Sequence, residues 1–113
     1  MHELSLVESI VALIEDERQR QAFSRVRLVS VHVGALGYVE PDALRFCFDA
    51  VTRGTAAEGA VLSITTVAGV GTCPACRETV ALAERFDACP LCGCAQVMMI
   101  AGDELRLAEL EVE

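Results

Sequence analysis

Residues 69–102 read GVGTCPACRETVALAERFDACPLCGCAQVMMIAG and hold five of the chain's six cysteines. Four of those five fall into two matched turns, Cys73-Pro74-Ala75-Cys76 and Cys89-Pro90-Leu91-Cys92, with twelve residues between them. Twelve residues allow a short antiparallel excursion that brings the turns face to face. Each turn then offers two thiolates from one side, completing a tetrahedron of sulfur with metal–sulfur bonds of about 2.3 Å, the geometry of a structural Zn(II) site. Iron in the same four-sulfur cage is chemically open. A thioredoxin-type redox pair needs one CxxC opening a helix rather than two with a proline in each. Disulfide staples are disfavoured where no export signal is read. Cys94 lies two residues past Cys92, too close for a fifth ligand, and is expected to be a spare thiol beside the turn.

Outward from this segment the pattern changes. Residues 60–67, AVLSITTV, form a β-branched run bounded by Gly59 and Gly69, which predicts a strand. Beyond the segment, Leu105 and Leu107 share one parity and Leu110 and Val112 the other, so a C-terminal strand changes face near Ala108-Glu109, where a bulge is expected. The cysteine segment therefore reads as an insertion between two strands, with residues 1–68 plus 103–113 in one domain and 69–102 in a zinc-binding one. Upstream, Ser5 and Glu8 have the form of a capping box, and Leu6, Val7, Ile10, Val11, Leu13 and Ile14 follow as an apolar stripe, predicting a helix over 5–21 that begins after His2. Val29, Val31 and Val33 alternate with Leu28, Ser30 and His32 in a strand over 26–33, ended by Gly34 and Gly37. His32 there is expected to be structural. Glu40-Pro41-Asp42 opens a second helix whose Leu44, Cys47, Phe48 and Val51 fall at i, i+3, i+4 and i+7, with Gly54 closing it. Cys47 on that stripe is expected to act as a small buried hydrophobe.

At 113 residues and 12.1 kDa the chain fits one domain with a small appendage. Its longest apolar runs are five residues, against the roughly 20 that span a bilayer, so no transmembrane helix is expected. The start, MHELSLVESI, lacks a basic n-region, and a cytoplasmic protein beginning at Met1 is expected. The net charge of −8, with charges scattered, argues against nucleic acid as a partner, since phosphate binding rests on clustered cations. All nine basic residues are Arg, so the α-amine of Met1 is the one aliphatic amine. There is one Tyr, no nucleophile elbow and only His2 and His32, and nothing resembles an enzyme's constellation.

That amine gives His2 its interest. The Met1 amine, the backbone nitrogen of His2 and its ring Nδ1 can close fused chelate rings around one ion, a nitrogen-rich tetragonal arrangement that suits Ni(II) or Cu(II) rather than Zn(II). From this feature alone, a His at position two is as readily incidental.

MHELSL at the start, VHVGALGYVEPDALRFCFDAVTRGT at 31–55, EGAVLSI at 58–64, the paired CPxC turns and GDELRLAELEVE at 102–113 together resemble the HypA/HybF family of hydrogenase maturation proteins, which are nickel metallochaperones. The resemblance runs nearly end to end. It implies an α+β fold, two helices packed on a small mixed β-sheet that bears a nickel site, with an inserted zinc-ribbon-like segment that tunes it. It implies that His2 is the key Ni(II) ligand, with the Met1 amine and the backbone nitrogens of His2 and Glu3 as companions, and that Cys73, Cys76, Cys89 and Cys92 hold Zn(II). Glu40 falls where some relatives carry an acidic residue near the nickel. By the same resemblance the protein is a carrier and not a catalyst, working with the hydrogenase maturation GTPase and delivering Ni(II) to the hydrogenase large subunit, with no membrane or nucleic-acid partner. Because Cu(II) outranks Ni(II) in intrinsic affinity, ligand strength alone cannot select nickel. Members often have Gly after each CxxC, whereas Arg77 follows the first turn here and Gly93 the second. Two function classes stand at this point: the nickel metallochaperone, and a zinc-knuckle adaptor that only binds proteins.

Overall fold

A computed structural model describes residues 2–113. Along them run α1 (His2–Gln21), β1 (Val26–Gly34), a 3-10 turn (Ala35–Gly37), α2 (Pro41–Val51), β2 (Val61–Val67), β3 (Gly69–Thr72), β4 (Thr79–Leu82), β5 (Met98–Ala101) and β6 (Leu105–Val112). They form two compact units. One comprises the chain up to Val31, Val39–Thr65 and Arg106–Glu113; the other comprises His32–Tyr38 and Thr66–Leu105.

In the first unit α1 and α2 pack on each other. Val7, Ile10 and Ile14 of α1 and Leu44, Cys47 and Phe48 of α2 are buried, which removes their side chains from water at roughly 25 cal/mol per Å² of apolar surface. Cys47 is a core thiol, as its place on the stripe predicted. Leu13 departs from the predicted stripe and is half exposed, because the buried face follows i, i+4, i+7, i+11 spacing through residues 3, 7, 10 and 14. The first of these is Glu3, a carboxylate on the core face.

The helix starts at His2 and not at Ser5. Ser5 is one turn inside, exposed, with its carbonyl accepting from Ser9 Oγ at 3.1 Å rather than capping anything. An acidic side chain in the first turn complements the helix dipole, and Glu3 is further held by accepting the N–H of Glu40 at 3.4 Å, so the first turn has an anchor that the local sequence does not reveal.

β1 is the central strand of a three-stranded sheet ordered β2-β1-β6, so the chain returns to this sheet after the cysteine segment. Val26, Val29, Val31 and Val33 are buried on β1 while Leu28, Ser30 and His32 are half-buried. In β6 the half-buried positions are Leu105, Leu107 and Leu110, a change of parity between the last two. Glu40 is the N-cap of α2, its Oε1 accepting the Asp42 N–H at 3.2 Å, with Pro41 in the first turn where its missing N–H costs nothing.

The zinc-ribbon-like cysteine segment has a sheet of its own, so there are two. The second, ordered β4-β3-β5, is antiparallel throughout, with Thr72 opposite both Thr79 and Met98 and a register irregularity between Val70 and Gly71. Its strands are four residues long, too short to leave a periodic trace in the sequence. Leu36, Cys73, Val80, Leu82 and Cys89 form its buried core, edged by Cys76, Cys94, Val97 and Met99. Gly69 is required there, since a Cβ would meet Leu36 Cδ1 at 2.3 Å.

Candidate metal centres

The two cysteine turns fold alike. Arg77 N–H donates to Cys73 O at 2.8 Å and Gly93 N–H to Cys89 O at 2.8 Å; Cys73 N–H donates to Glu78 O at 3.0 Å and Cys89 N–H to Cys94 O at 2.8 Å. The residue after each CxxC is left-handed, Arg77 at φ 62° and Gly93 at φ 79°. Arg77 thus adopts the backbone that glycine takes at the second turn, against a side-chain penalty of about 1–2 kcal/mol. Leu91 N–H also points at Cys89 Sγ, at 3.4 Å.

These turns bring the sulfur atoms of Cys73, Cys76, Cys89 and Cys92 within 4.8 Å of one another. The closest pairs cross between turns, Cys73 to Cys92 at 3.5 Å and Cys76 to Cys89 at 3.8 Å. Four sulfurs at about 2.3 Å from one ion are spaced about 3.8 Å apart, so the donor set fits a tetrahedral Zn(II). All six cysteines are free thiols.

The electrostatics carry the same message. The Cys73 thiol is lowered to about 6, first by the N–H of Cys76, which outweighs burial, with help from the Ala75 N–H and the thiols of Cys92 and Cys76. At Cys92 the Cys94 N–H pulls downward, but contact with the thiols of Cys73, Cys89 and Cys76 together with desolvation pushes the group up to about 12. Cys76 is also raised: the Glu78 N–H lowers it, while desolvation and the thiols of Cys73 and Cys89 prevail. Sulfurs this close resist sharing further negative charge, and a divalent cation is what lets the raised thiols of Cys76 and Cys92 ionise.

Cys94, expected to be spare, contributes its backbone carbonyl to the second turn and packs at the edge of the core. Glu78, exposed, contributes its backbone carbonyl to the first turn in the same way, and the sequence reading names neither as a site residue. The signal was present: Cys73 to Glu78 and Cys89 to Cys94 are one six-residue unit repeated at an offset of sixteen.

In the first unit, the end of α1 gathers a second set of groups. Met1 lies outside the described residues. His2 is about half exposed, and its Nδ1 is 3.5 Å from Glu3 Oε2. As first-turn groups, the N–H bonds of His2 and Glu3 have no acceptor within the helix. The Glu3 carboxylate is buried and accepts the Glu40 N–H. Glu40 is therefore close through its backbone, while one oxygen of its own exposed carboxylate is engaged in capping α2. Burial of the Glu3 side chain was not anticipated, although its place four residues before Val7 on the core stripe signals it.

A four-thiol cage on a fold of two helices and small sheets defines a candidate metal-binding protein. The family model described as "Hydrogenase/urease nickel incorporation, metallochaperone, hypA" matches residues 1–112. The chain is similar to the hydrogenase maturation factor HypA of Methylocella silvestris, 66% identical over the whole of both chains, and to that of Dechloromonas aromatica, 49% identical over the same extent. Its fold is similar to the solution structure of the nickel metallochaperone HypA from Helicobacter pylori, with a TM-score of 0.74 and 24% identity over 99% of this chain and 97% of that one. The chain belongs to the HypA family, a family of metallochaperones for nickel incorporation in hydrogenase maturation and not of enzymes. Among the described residues no helix is long and apolar enough to cross a membrane.

Proposed function

We propose that the chain carries Ni(II) as cargo at its N-terminus and holds Zn(II) in the four-cysteine cage as a structural ion. The nickel donors are the Met1 amine, the backbone nitrogens of His2 and Glu3, and the His2 ring; the zinc donors are Cys73, Cys76, Cys89 and Cys92. The carrier acts in the cytoplasm with the hydrogenase maturation GTPase and passes its ion to the hydrogenase large subunit.

The observation that carries this reading is the company His2 keeps. An exposed imidazole sits beside first-turn N–H groups that no helix carbonyl uses, with a buried carboxylate 3.5 Å from the ring. Amide nitrogens that lose their proton and an imidazole supply the tetragonal nitrogen field that Ni(II) takes. The positive end of the helix dipole opposes a cation, and the Glu3 carboxylate offsets it. A cargo site needs that balance, because an ion bound too well is not delivered. The family's hydrogenase-related role supports the choice of partners.

Nickel titration of zinc-loaded protein tests the reading. Wild type is expected to bind one Ni(II), and His2→Ala to lose that binding while keeping its zinc and its helical content. Wild-type nickel affinity in His2→Ala refutes the N-terminal site and returns the protein to the adaptor class.

A further inference from the structure

Sheet β4-β3-β5 has two unlike faces. Val80 and Leu82 of β4 and Met99 of β5 turn toward the core that contains Cys73 and Cys89, and Gly71 of β3 lies on the same side, since a Cβ there would meet Leu82 Cδ1 at 2.8 Å. The other face holds Val70, Thr72, Thr79, Ala81, Met98 and Ile100. Strand pairing puts them together: Thr72 stands opposite Thr79 on one side and Met98 on the other, and Val70 stands opposite Ala81. Ile100 joins them through the register irregularity, which sets Val70 against Ala101 and Gly71 against Met99 and so leaves Ile100 as the extra residue of a bulge. None of the six carries a charge, in a chain where 23% of residues do. Met98 is 68% exposed and Ile100 59%. Apolar side chains left in water together, rather than scattered singly, mark an interaction surface.

The size of this face limits what covers it. Three strands of four residues, at about 4.8 Å between strands and 3.3 Å per residue, present about 10 by 13 Å. A stable dimer buries about 800 Å² on each copy, several times this area, and two copies would bring −8 against −8. An α-helix is about 10 Å across and two to three of its turns cover about 13 Å, so a single helix fills the face. Charge sets the flanks of that helix. Glu78 directly precedes β4, Glu84 follows it, and Asp103 and Glu104 follow β5. The arginines in the same stretches are Arg77 and Arg85, and Arg85 lies 3.6 Å from Asp103 Oδ2. Four carboxylates against two guanidiniums leave the strand ends negative, which attracts a basic flank and repels an anionic lipid surface.

We propose that the outer face of sheet β4-β3-β5 docks an amphipathic helix of a partner protein, one with a short apolar stripe and Lys or Arg along its flanks. Thr72, Thr79 and Ala81 form a low shelf on β3 and β4, and Met98 and Ile100 form a raised apolar edge on β5. A cylinder laid along the strands meets both. Methionine adapts its shape to the side chains it receives. Burial on this scale holds a partner weakly and lets it go. The surface lies wholly within the unit that contains the cysteine cage, and it does not depend on where nickel binds.

The test uses full-length, zinc-loaded protein without nickel. The probe is a side-chain-stapled helix of about 12 residues, enough for three turns, with leucines at i, i+3, i+4 and i+7 and lysines on both flanks. Its isomer carries glutamates in place of the lysines. Saturable NMR shift changes are expected at Val70, Ala81, Met98 and Ile100 with the lysine helix, and about ten-fold weaker binding with the glutamate isomer. Ile100→Thr keeps the β-branched shape that suits a strand while removing apolar surface. It is expected to retain one zinc per chain and to bind the lysine helix about five-fold to ten-fold more weakly. Should Ile100→Thr lose zinc, Met98→Thr serves, with the same loss of binding expected. The proposal is overturned by no saturable binding of the lysine helix, by shifts confined to other residues, by equal or tighter binding of the glutamate isomer, or by undiminished binding in a folded variant. A dimer in sedimentation that Ile100→Thr dissociates assigns the face to a second copy. Adsorption to vesicles of phosphatidylcholine and phosphatidylglycerol that Ile100→Thr abolishes assigns it to lipid. Either result overturns the proposal as well.

Discussion

Replacing Arg77 by glycine should tighten zinc binding. Arg77 follows the first CxxC with φ 62°, and Gly93 follows the second with φ 79°. The flanking hydrogen bonds match, so the backbone demand is equal at both places. A residue with a Cβ loses about 1–2 kcal/mol in this conformation. Arg77→Gly removes that penalty and adds about 0.5–1 kcal/mol of backbone entropy to be lost on folding. The net gain is about 0.5–1 kcal/mol. Since structural zinc binding is largely the folding of its own segment, that gain appears as about two-fold to five-fold tighter zinc. The reverse change, Gly93→Ala, should weaken zinc about two-fold to five-fold, because nothing lies within 4 Å of the added Cβ and the cost is the same backbone strain less the same unfolded-chain entropy. Competition with a chromophoric chelator under reducing conditions reads both constants. Weaker binding by Arg77→Gly, or no loss in Gly93→Ala, would refute the argument that turn conformation sets the affinity.

Other outcomes follow from the same geometry. Cys92→Ala should lose zinc and raise amide exchange across β3, β4 and β5, leaving α1 protected; retained zinc at one ion per chain contradicts the cage. Zinc affinity should rise steeply with pH: at pH 7 to 8.5 the raised thiols of Cys76 and Cys92 still hold protons that the metal must displace, whereas Cys73, at about 6, adds its proton to the competition only in more acidic solution. Binding that is flat across pH 7 to 8.5 excludes those two as ligands. Leu36→Ala, in the core beside Cys73 and Cys89, should destabilise the zinc-loaded unit by about 2–5 kcal/mol in denaturant titration, and a loss under about 1 kcal/mol shows that the site is not packed as described.

What the sequence disclosed was whatever a local period can carry. Val7, Ile10 and Ile14, the Leu44-Cys47-Phe48 face, and the alternating valines of β1 announce their burial by spacing alone. The cage was legible for a chemical reason, since thiols paired in two repeated turns have few other uses. What stayed hidden depends on partners far away in the chain. Glu3 on the core face accepts from residue 40, Leu36 is buried with Cys73 and Cys89 in one core, and Tyr38 is left-handed among contacts 46 and 47 residues distant. The true start of α1 belongs to the same group: Ser5-Glu8 has the form of a cap, but the anchor provided through Glu3 carries the helix back to His2.

The central claim, that the amino terminus itself holds nickel, has a direct measurement in the absence of lysine. All nine basic residues are Arg, so an amine-selective acylating reagent near neutral pH has a single target, the α-amine of Met1. Its rate of modification, followed by mass spectrometry on zinc-loaded protein, should fall in proportion to nickel occupancy. Acylated protein should in turn lose most of its nickel affinity while keeping its zinc and helical content. Acylation at the same rate with nickel bound, and unchanged nickel affinity after complete modification, would contradict the claim and place the ion elsewhere.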